Sequence, residues 1–141
     1  MRNSSAWVWS KRPMLPSDWR ELTRALTKDA AQRGIPINGT FELTNRCNLA
    51  CRMCYIRTPA SDRAMKAGEL SAEEWVDLAR QGVEAGMLFV LLTGGEVFVR
   101  PDFFDIYEPM TEMGLIITLF TNGTLITDRI AKRLARRPSN R

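Results

Sequence analysis

Histidine is absent from the 141 residues, and cysteine is scarce: there are three, all between positions 47 and 54. Without an imidazole, mechanisms that use histidine as base, nucleophile or metal ligand are excluded. Three clustered thiols do not make a disulfide framework, and a reducing compartment disfavours disulfides in any case. Long hydrophobic runs are missing too. The longest, such as residues 87–92, fall far short of the ~18 residues of a membrane span. At the start, Arg2 precedes only Ala6, Trp7, Val8 and Trp9, too little for the hydrophobic region of a signal peptide. The expected location is therefore the cytoplasm, with no membrane partner. Strong charge is also lacking. Twenty Lys and Arg against sixteen Asp and Glu leave +4, too little to mark a dedicated nucleic-acid binder, so no nucleic-acid partner is expected.

With 45% hydrophobic and 26% charged residues the chain can build a buried core, and its length suits about one domain on a prior of roughly 100 to 200 residues. Residues 1–37 read as an extension with one helix. Ser17 is expected to cap it, Trp19, Leu22, Leu26 and Ala30 fall at helical spacing, and Gly34 and Pro36 supply the stop. From residue 38 to 141 strands and helices alternate. Residues 40–44 alternate like a strand, and Ser71 with Glu74 forms a capping box before a helix whose apolar face is Trp75, Leu78, Ala79 and Val83. The apolar run 87–92 reads as a parallel strand covered on both faces. Pro101 and Asp102 open a helix in which Pro109 threatens a kink or an early break. Residues 115–120 form a third strand, and Thr127 caps a last helix with Ile130 and Leu134 inward. No internal repeat is seen beyond this alternation.

The α/β alternation with short loops predicts a parallel sheet whose ligands sit at the carboxyl ends of the strands. Three unusual loops fall there: the cysteine segment, Gly94, Gly95 and Glu96 after the second strand, and Thr121, Asn122, Gly123 and Thr124 after the third. Cys47, Cys51 and Cys54 are separated by three and two residues, which lets one loop wrap three thiolates around a face of an iron–sulfur cubane. Three ligands hold three irons and leave a fourth open for chemistry. A structural zinc site generally takes four Cys or His ligands, and structural thiols would be scattered over core positions rather than gathered in one loop.

A Cys-x-x-x-Cys-x-x-Cys loop after a strand, with Gly-Gly-Glu ending the next strand, resembles the radical S-adenosylmethionine (radical SAM) superfamily. The run Thr93 to Glu96, then Arg100-Pro101-Asp102-Phe103, then Thr121 to Thr124 resembles its branch of peptide- and protein-modifying enzymes with a C-terminal SPASM domain. The resemblance implies a partial (β/α) barrel, a 4Fe-4S cluster on Cys47, Cys51 and Cys54, and S-adenosylmethionine chelated to the open iron. Reductive cleavage to a 5′-deoxyadenosyl radical would then abstract a hydrogen from a substrate, possible substrates including a peptide, with an electron from a reductant such as a flavodoxin or ferredoxin. Such a protein is an iron-binding oxidoreductase. It also implies that Gly94 and Gly95 let the backbone approach the ligand, that Glu96 accepts from the ammonium of its methionine moiety, that Met53 and Tyr55 lie near adenine, and that Asn122 makes a ligand- or substrate-side contact. Two positions depart from the family pattern: Met53 is commonly aromatic and Val97 commonly proline. Neither departure removes a ligand.

Other features have plainer readings. Lys132, Arg133, Arg136, Arg137 and Arg141 read as a solvated face suited to a helix carboxyl end. Trp7, Trp9, Lys11 and Arg12 read as a tail or a core lid rather than a docking arm. Residues 65–69 read as an exposed loop without chemistry. An eight-unit barrel takes ~250 residues, about 30 per βα unit, so residues 38–141 hold about three units. The expectation is a truncated radical SAM core, whose third strand has an unpaired edge and whose independent catalysis is in doubt. The alternative is a noncatalytic iron–sulfur binding or interaction module.

Overall fold

The structure, a computed structural model, describes residues 18–56 and 58–136. Trp7, Trp9, Lys11, Arg12, Ser17, Arg137 and Arg141 lie outside these described residues. The chain divides after Gly34 into two compact units. The first contains helix α1 (Trp19–Arg33). Its amino end is capped by Asp18, whose carboxylate accepts the Arg20 amide at 3.1 Å, and Gly34 ends it in the left-handed region at φ 68°. Leu22 and Leu26 are half-buried and Ala30 is buried along one stripe, while Trp19 is exposed.

The second unit runs β1 (Asn38–Thr44), β2 (Arg46–Cys47), β3 (Thr58–Pro59), α2 (Arg63–Ala67), α3 (Ala72–Glu84), β4 (Phe89–Gly94), a 3-10 turn (Val97–Val99), α4 (Phe103–Glu112), β5 (Ile116–Leu119) and α5 (Asp128–Leu134). Strands β1, β4 and β5 form a parallel sheet in that order, the wall of a partial (β/α) barrel. Register places Gly39, Val90 and Ile117 in one row and Thr40, Leu91 and Thr118 in the next. Side chains alternate across a strand, so these rows belong to opposite faces. The Val90 face, with Leu43 and Leu92, joins Ala79 of α3 and Phe103, Ile106 and Met110 of α4 in one buried cluster. Each of the larger buried side chains in it contributes about 1.5–3 kcal/mol.

The run 87–92 therefore does not behave as a strand buried on both faces. Val90 and Leu92 are buried against the helices, but Phe89 and Leu91, on the opposite pleat, are half-buried, as suits a barrel wall with helices outside. The strand also starts later, because Met87 donates to the Gly82 carbonyl at 2.8 Å and so closes the turn after α3. The capping box of α3 is present: the Glu74 amide donates to Ser71 Oγ at 3.2 Å, and the Ser71 amide donates to Glu74 Oε2 at 2.8 Å. Leu78 is exposed rather than on the apolar face, because burial follows Trp75, Ala79 and Val83 at four-residue spacing and Leu78 lies to its side.

Pro109 does not break α4, which continues to Glu112. The carbonyl left without an amide by a proline belongs to the residue four positions earlier, here Asp105, on the exposed face where water can serve it. Residues 65–69 are not a plain loop: α2 begins at an Asp62 cap, whose carboxylate accepts the Met65 amide at 2.9 Å. Among the described residues no helix is long and apolar enough to cross a membrane.

Candidate functional site

The cysteine loop leaves β1 at the carboxyl edge of the sheet. A register irregularity between Glu42 and Thr44 puts Leu43 and Thr44 both into the interior, turning the chain toward β2. Cys47 lies in β2, which pairs in parallel with β3, so the loop that carries Cys51 and Cys54 is closed at its base by Arg46 beside Thr58 and Cys47 beside Pro59. Within it, the Cys54 amide donates to the Cys51 carbonyl at 3.1 Å, and the Leu49 amide reaches Cys47 Sγ at 3.4 Å. None of the three cysteines forms a disulfide; Cys47 and Cys54 are half-buried and Cys51 is exposed. Among the described residues no three His, Cys, Asp or Glu side chains converge as the ligands of one metal ion. Three soft thiolates on one loop suit a cluster, in which each takes a separate iron.

Gly94 and Gly95 sit against the root of this loop. A side chain at Gly94, where φ is 137°, would overlap the Thr44 carbonyl oxygen, and one at Gly95 would overlap the Arg46 carbonyl and crowd Cys47 Cβ at 3.1 Å. This contact carries two hydrogen bonds, from the Gly95 amide to Thr44 O at 2.7 Å and from the Glu96 amide to Arg46 O at 3.0 Å. The close approach in this structure is thus to the chain's own backbone. Gly94 and Gly95 also line an open cavity of about 350 Å³ with Thr93, Leu119, Phe120 and Thr121 at the strand ends.

Glu96 is fully buried. Its Oε1 accepts from the Phe98 amide at 3.1 Å and the Thr121 hydroxyl at 2.8 Å, and its Oε2 from that hydroxyl at 3.0 Å and the Asn122 amide at 2.7 Å. The carboxylate expected to meet a ligand ammonium here joins the end of β4 to the turn after β5. Asn122 is exposed, and its side chain faces Asn48 and Cys47. Met53 is 96% exposed at the tip of the cysteine loop. Tyr55 is exposed as well; its hydroxyl donates to Glu42 Oε1 at 3.2 Å, and the Glu42 charge holds the phenol above its ordinary range.

Sequence reasoning missed a buried ionic brace beneath the loop. Arg46 donates through Nε and Nη2 to the two oxygens of Glu69 at 2.8 and 3.0 Å, and through Nη1 to the Ala60 carbonyl at 2.9 Å. The Thr44 hydroxyl also binds Glu69. Arg100 donates to the Leu43 and Leu70 carbonyls, both at 2.9 Å, and forks onto Asp102 at 3.1 and 2.7 Å. Asp102 precedes α4 but makes no side-chain cap; it serves Arg100 instead. Burial alone raises the Glu69 carboxyl, but Arg46, Thr44 and Arg100 together hold it below its usual range. Arg100 likewise outweighs burial at Asp102. The available signal was the Arg-Pro-Asp run itself, which reads locally as a helix start.

The basic face of α5 is also more than solvated surface. Arg133 pairs with Glu108 at 2.6 and 2.8 Å and lies 4.2 Å over the Phe104 ring, while Lys132 and Arg136 are exposed.

A parallel (β/α) barrel segment with a three-cysteine loop at its strand ends is the class that fold and site define. The chain belongs to the radical SAM superfamily, whose family model matches residues 41–141. It is 39% identical over 94 residues to the AdoMet-dependent heme synthase of Methanosarcina barkeri, covering 67% of this chain and 26% of that protein. It is 37% identical over 92 residues to the antilisterial bacteriocin subtilosin biosynthesis protein AlbA of Bacillus subtilis, covering 65% and 20%. It is 34% identical over 104 residues to the PqqA peptide cyclase of Streptomyces rochei, covering 74% and 28%. The chain spans about a quarter of the length of these relatives.

Proposed function

We propose that residues 38–141 carry the cluster-binding part of a radical SAM enzyme, with residues 1–37 as an extension, and that Cys47, Cys51 and Cys54 hold a 4Fe-4S cluster whose fourth iron takes S-adenosylmethionine. The observation that carries this is the attachment of Cys47 to the Gly94, Gly95 and Glu96 segment through the two backbone hydrogen bonds at Thr44 and Arg46. When bound, cluster and S-adenosylmethionine supply one-electron reductive cleavage of a carbon–sulfur bond and hydrogen abstraction from a substrate. The chain's own residues orient and enclose them. Gly94, Gly95 and Asn122 border the mouth, Met53 and Tyr55 offer exposed surface beside the thiols, and Glu96 supports the mouth through Thr121 and Asn122. The proposed substrate is a peptide, on the analogy of relatives named for a peptide or a bacteriocin. The proposed reductant is a flavodoxin or ferredoxin, and the proposed setting the cytoplasm.

Anaerobic reconstitution with iron and sulfide tests the first step. Near four iron and four sulfide per chain in the wild type, lost in Cys51→Ser, is expected for a cubane; tetrahedral zinc without inorganic sulfide would overturn it. Adding dithionite and S-adenosylmethionine then separates enzyme from module. Release of 5′-deoxyadenosine is the expected result, and a stable cluster without cleavage is the result for a noncatalytic iron–sulfur module.

A further inference from the structure

The geometry points to Asn122 as an N–H donor to the Cys47 sulfur, held in that orientation by Asn48 and Thr124, and so as a residue that sets the reduction potential of the cluster. This rests on the proposal that Cys47 ligates iron. Asn122 Nδ2 lies 3.9 Å from Cys47 Sγ and donates to Asn48 Oδ1 at 3.0 Å. Asn48 Nδ2 donates to Thr124 Oγ1 at 2.8 Å, and that hydroxyl donates onward to Asn122 Oδ1 at 2.6 Å, which closes a ring of three side chains. The Thr124 amide also donates to Asn122 Oδ1, at 2.9 Å.

The ring settles which way the Asn122 amide points. Its oxygen is engaged twice by Thr124, so its nitrogen, with two hydrogens, faces Asn48 and the sulfur. The backbone of the same residue is held from below, because its amide donates to the buried Glu96 carboxylate. A donor at a ligating sulfur favours the more electron-rich state of the cluster and raises its potential.

The full chain is reconstituted anaerobically as wild type, Asn122→Ala and Thr124→Val. Each is titrated potentiometrically by EPR without S-adenosylmethionine, because Asn122 also borders the proposed nucleotide mouth. The expected result is a more negative midpoint potential for Asn122→Ala and a smaller shift of the same sign for Thr124→Val, which loosens the ring but keeps the donor. The Leu49 amide also reaches Cys47 Sγ, at 3.4 Å. After exchange into deuterated water, electron–nuclear spectra of the wild type should therefore show, besides the Leu49 deuteron common to both proteins, a further coupled deuteron that Asn122→Ala lacks. A purely structural role would alter melting or iron content without removing that signal. An unchanged potential and deuteron couplings identical to the wild type in Asn122→Ala would overturn the assignment. If Asn122→Ala fails to hold a cluster, Thr124→Val decides by the same two measurements. A wild type that binds no cluster would instead overturn cluster ligation itself.

Discussion

The guanidinium of Arg46 forks onto the carboxylate of Glu69, at 2.8 and 3.0 Å, in the interior directly before the first cysteine. Arg46 is 5% and Glu69 13% exposed at the side chain, so each depends on the other for neutralisation. The pair ties β2 to the segment between α2 and α3, and with Arg100 and Asp102 it continues to the start of α4.

Removing one partner leaves a buried charge uncompensated. Glu69→Ala should lower unfolding free energy by about 3–5 kcal/mol, as typical for a broken buried pair, measured by urea denaturation. A loss within the scatter of surface substitutions would show that water reaches Arg46 and the brace is superficial.

The same brace predicts an acid limit. Glu69 and Asp102 both have folded-state carboxyls below their ordinary values of 4.5 and 3.8. A depressed folded value adds stability that is complete above the unfolded value and is lost as pH falls through the folded one. The urea midpoint should therefore decline as pH drops below about 4.5, and Glu69→Gln should flatten that decline. Parallel profiles for the two proteins would contradict the assignment to Glu69.

Gly95→Ala forces a methyl against the Arg46 carbonyl and Cys47 Cβ. Such overpacking costs about 1–3 kcal/mol, and by displacing Cys47 it should also reduce iron retained after reconstitution. Gly68→Ala is the control: its new carbon would sit 3.7 Å from the nearest neighbour, an ordinary contact, with φ at −93°. Equal iron content in both variants would mean that the fit at Gly95 does not position the thiol.

Ser71→Ala removes the oxygen that accepts the Glu74 amide. A lost cap costs about 1 kcal/mol, and α3 lies away from the cysteine loop in sequence and packs on α4. Stability should fall while iron loading per folded chain stays at the wild-type level. Coupled losses would tie the helix to the site more closely than its contacts indicate.

What could be read from residues alone was local. Ser71 with Glu74, Thr127 before the last helix and the three thiols in one loop each act over a few positions, where backbone geometry decides the outcome. Pro109 misled for a related reason. A proline inside a helix removes one hydrogen bond and crowds the carbonyl four residues back, and the cost falls where that carbonyl meets water, which depends on which side of α4 faces the core.

The sequence by itself determined the order of the three strands of the main sheet and of helices α1, α3, α4 and α5, the family, and the thiols available for a cluster, because these depend on periodicity, capping and residue type. Tertiary structure alone decided how those thiols are supported. Glu69 meets Arg46, Glu96 turns inward to Thr121 and Asn122, and Asn48 closes a ring with Thr124 only after the parallel strands align their carboxyl ends. Partners so far apart along the chain leave no periodic trace. Their pairing is set by burial, which gives every enclosed charge and amide a strong need for a complement.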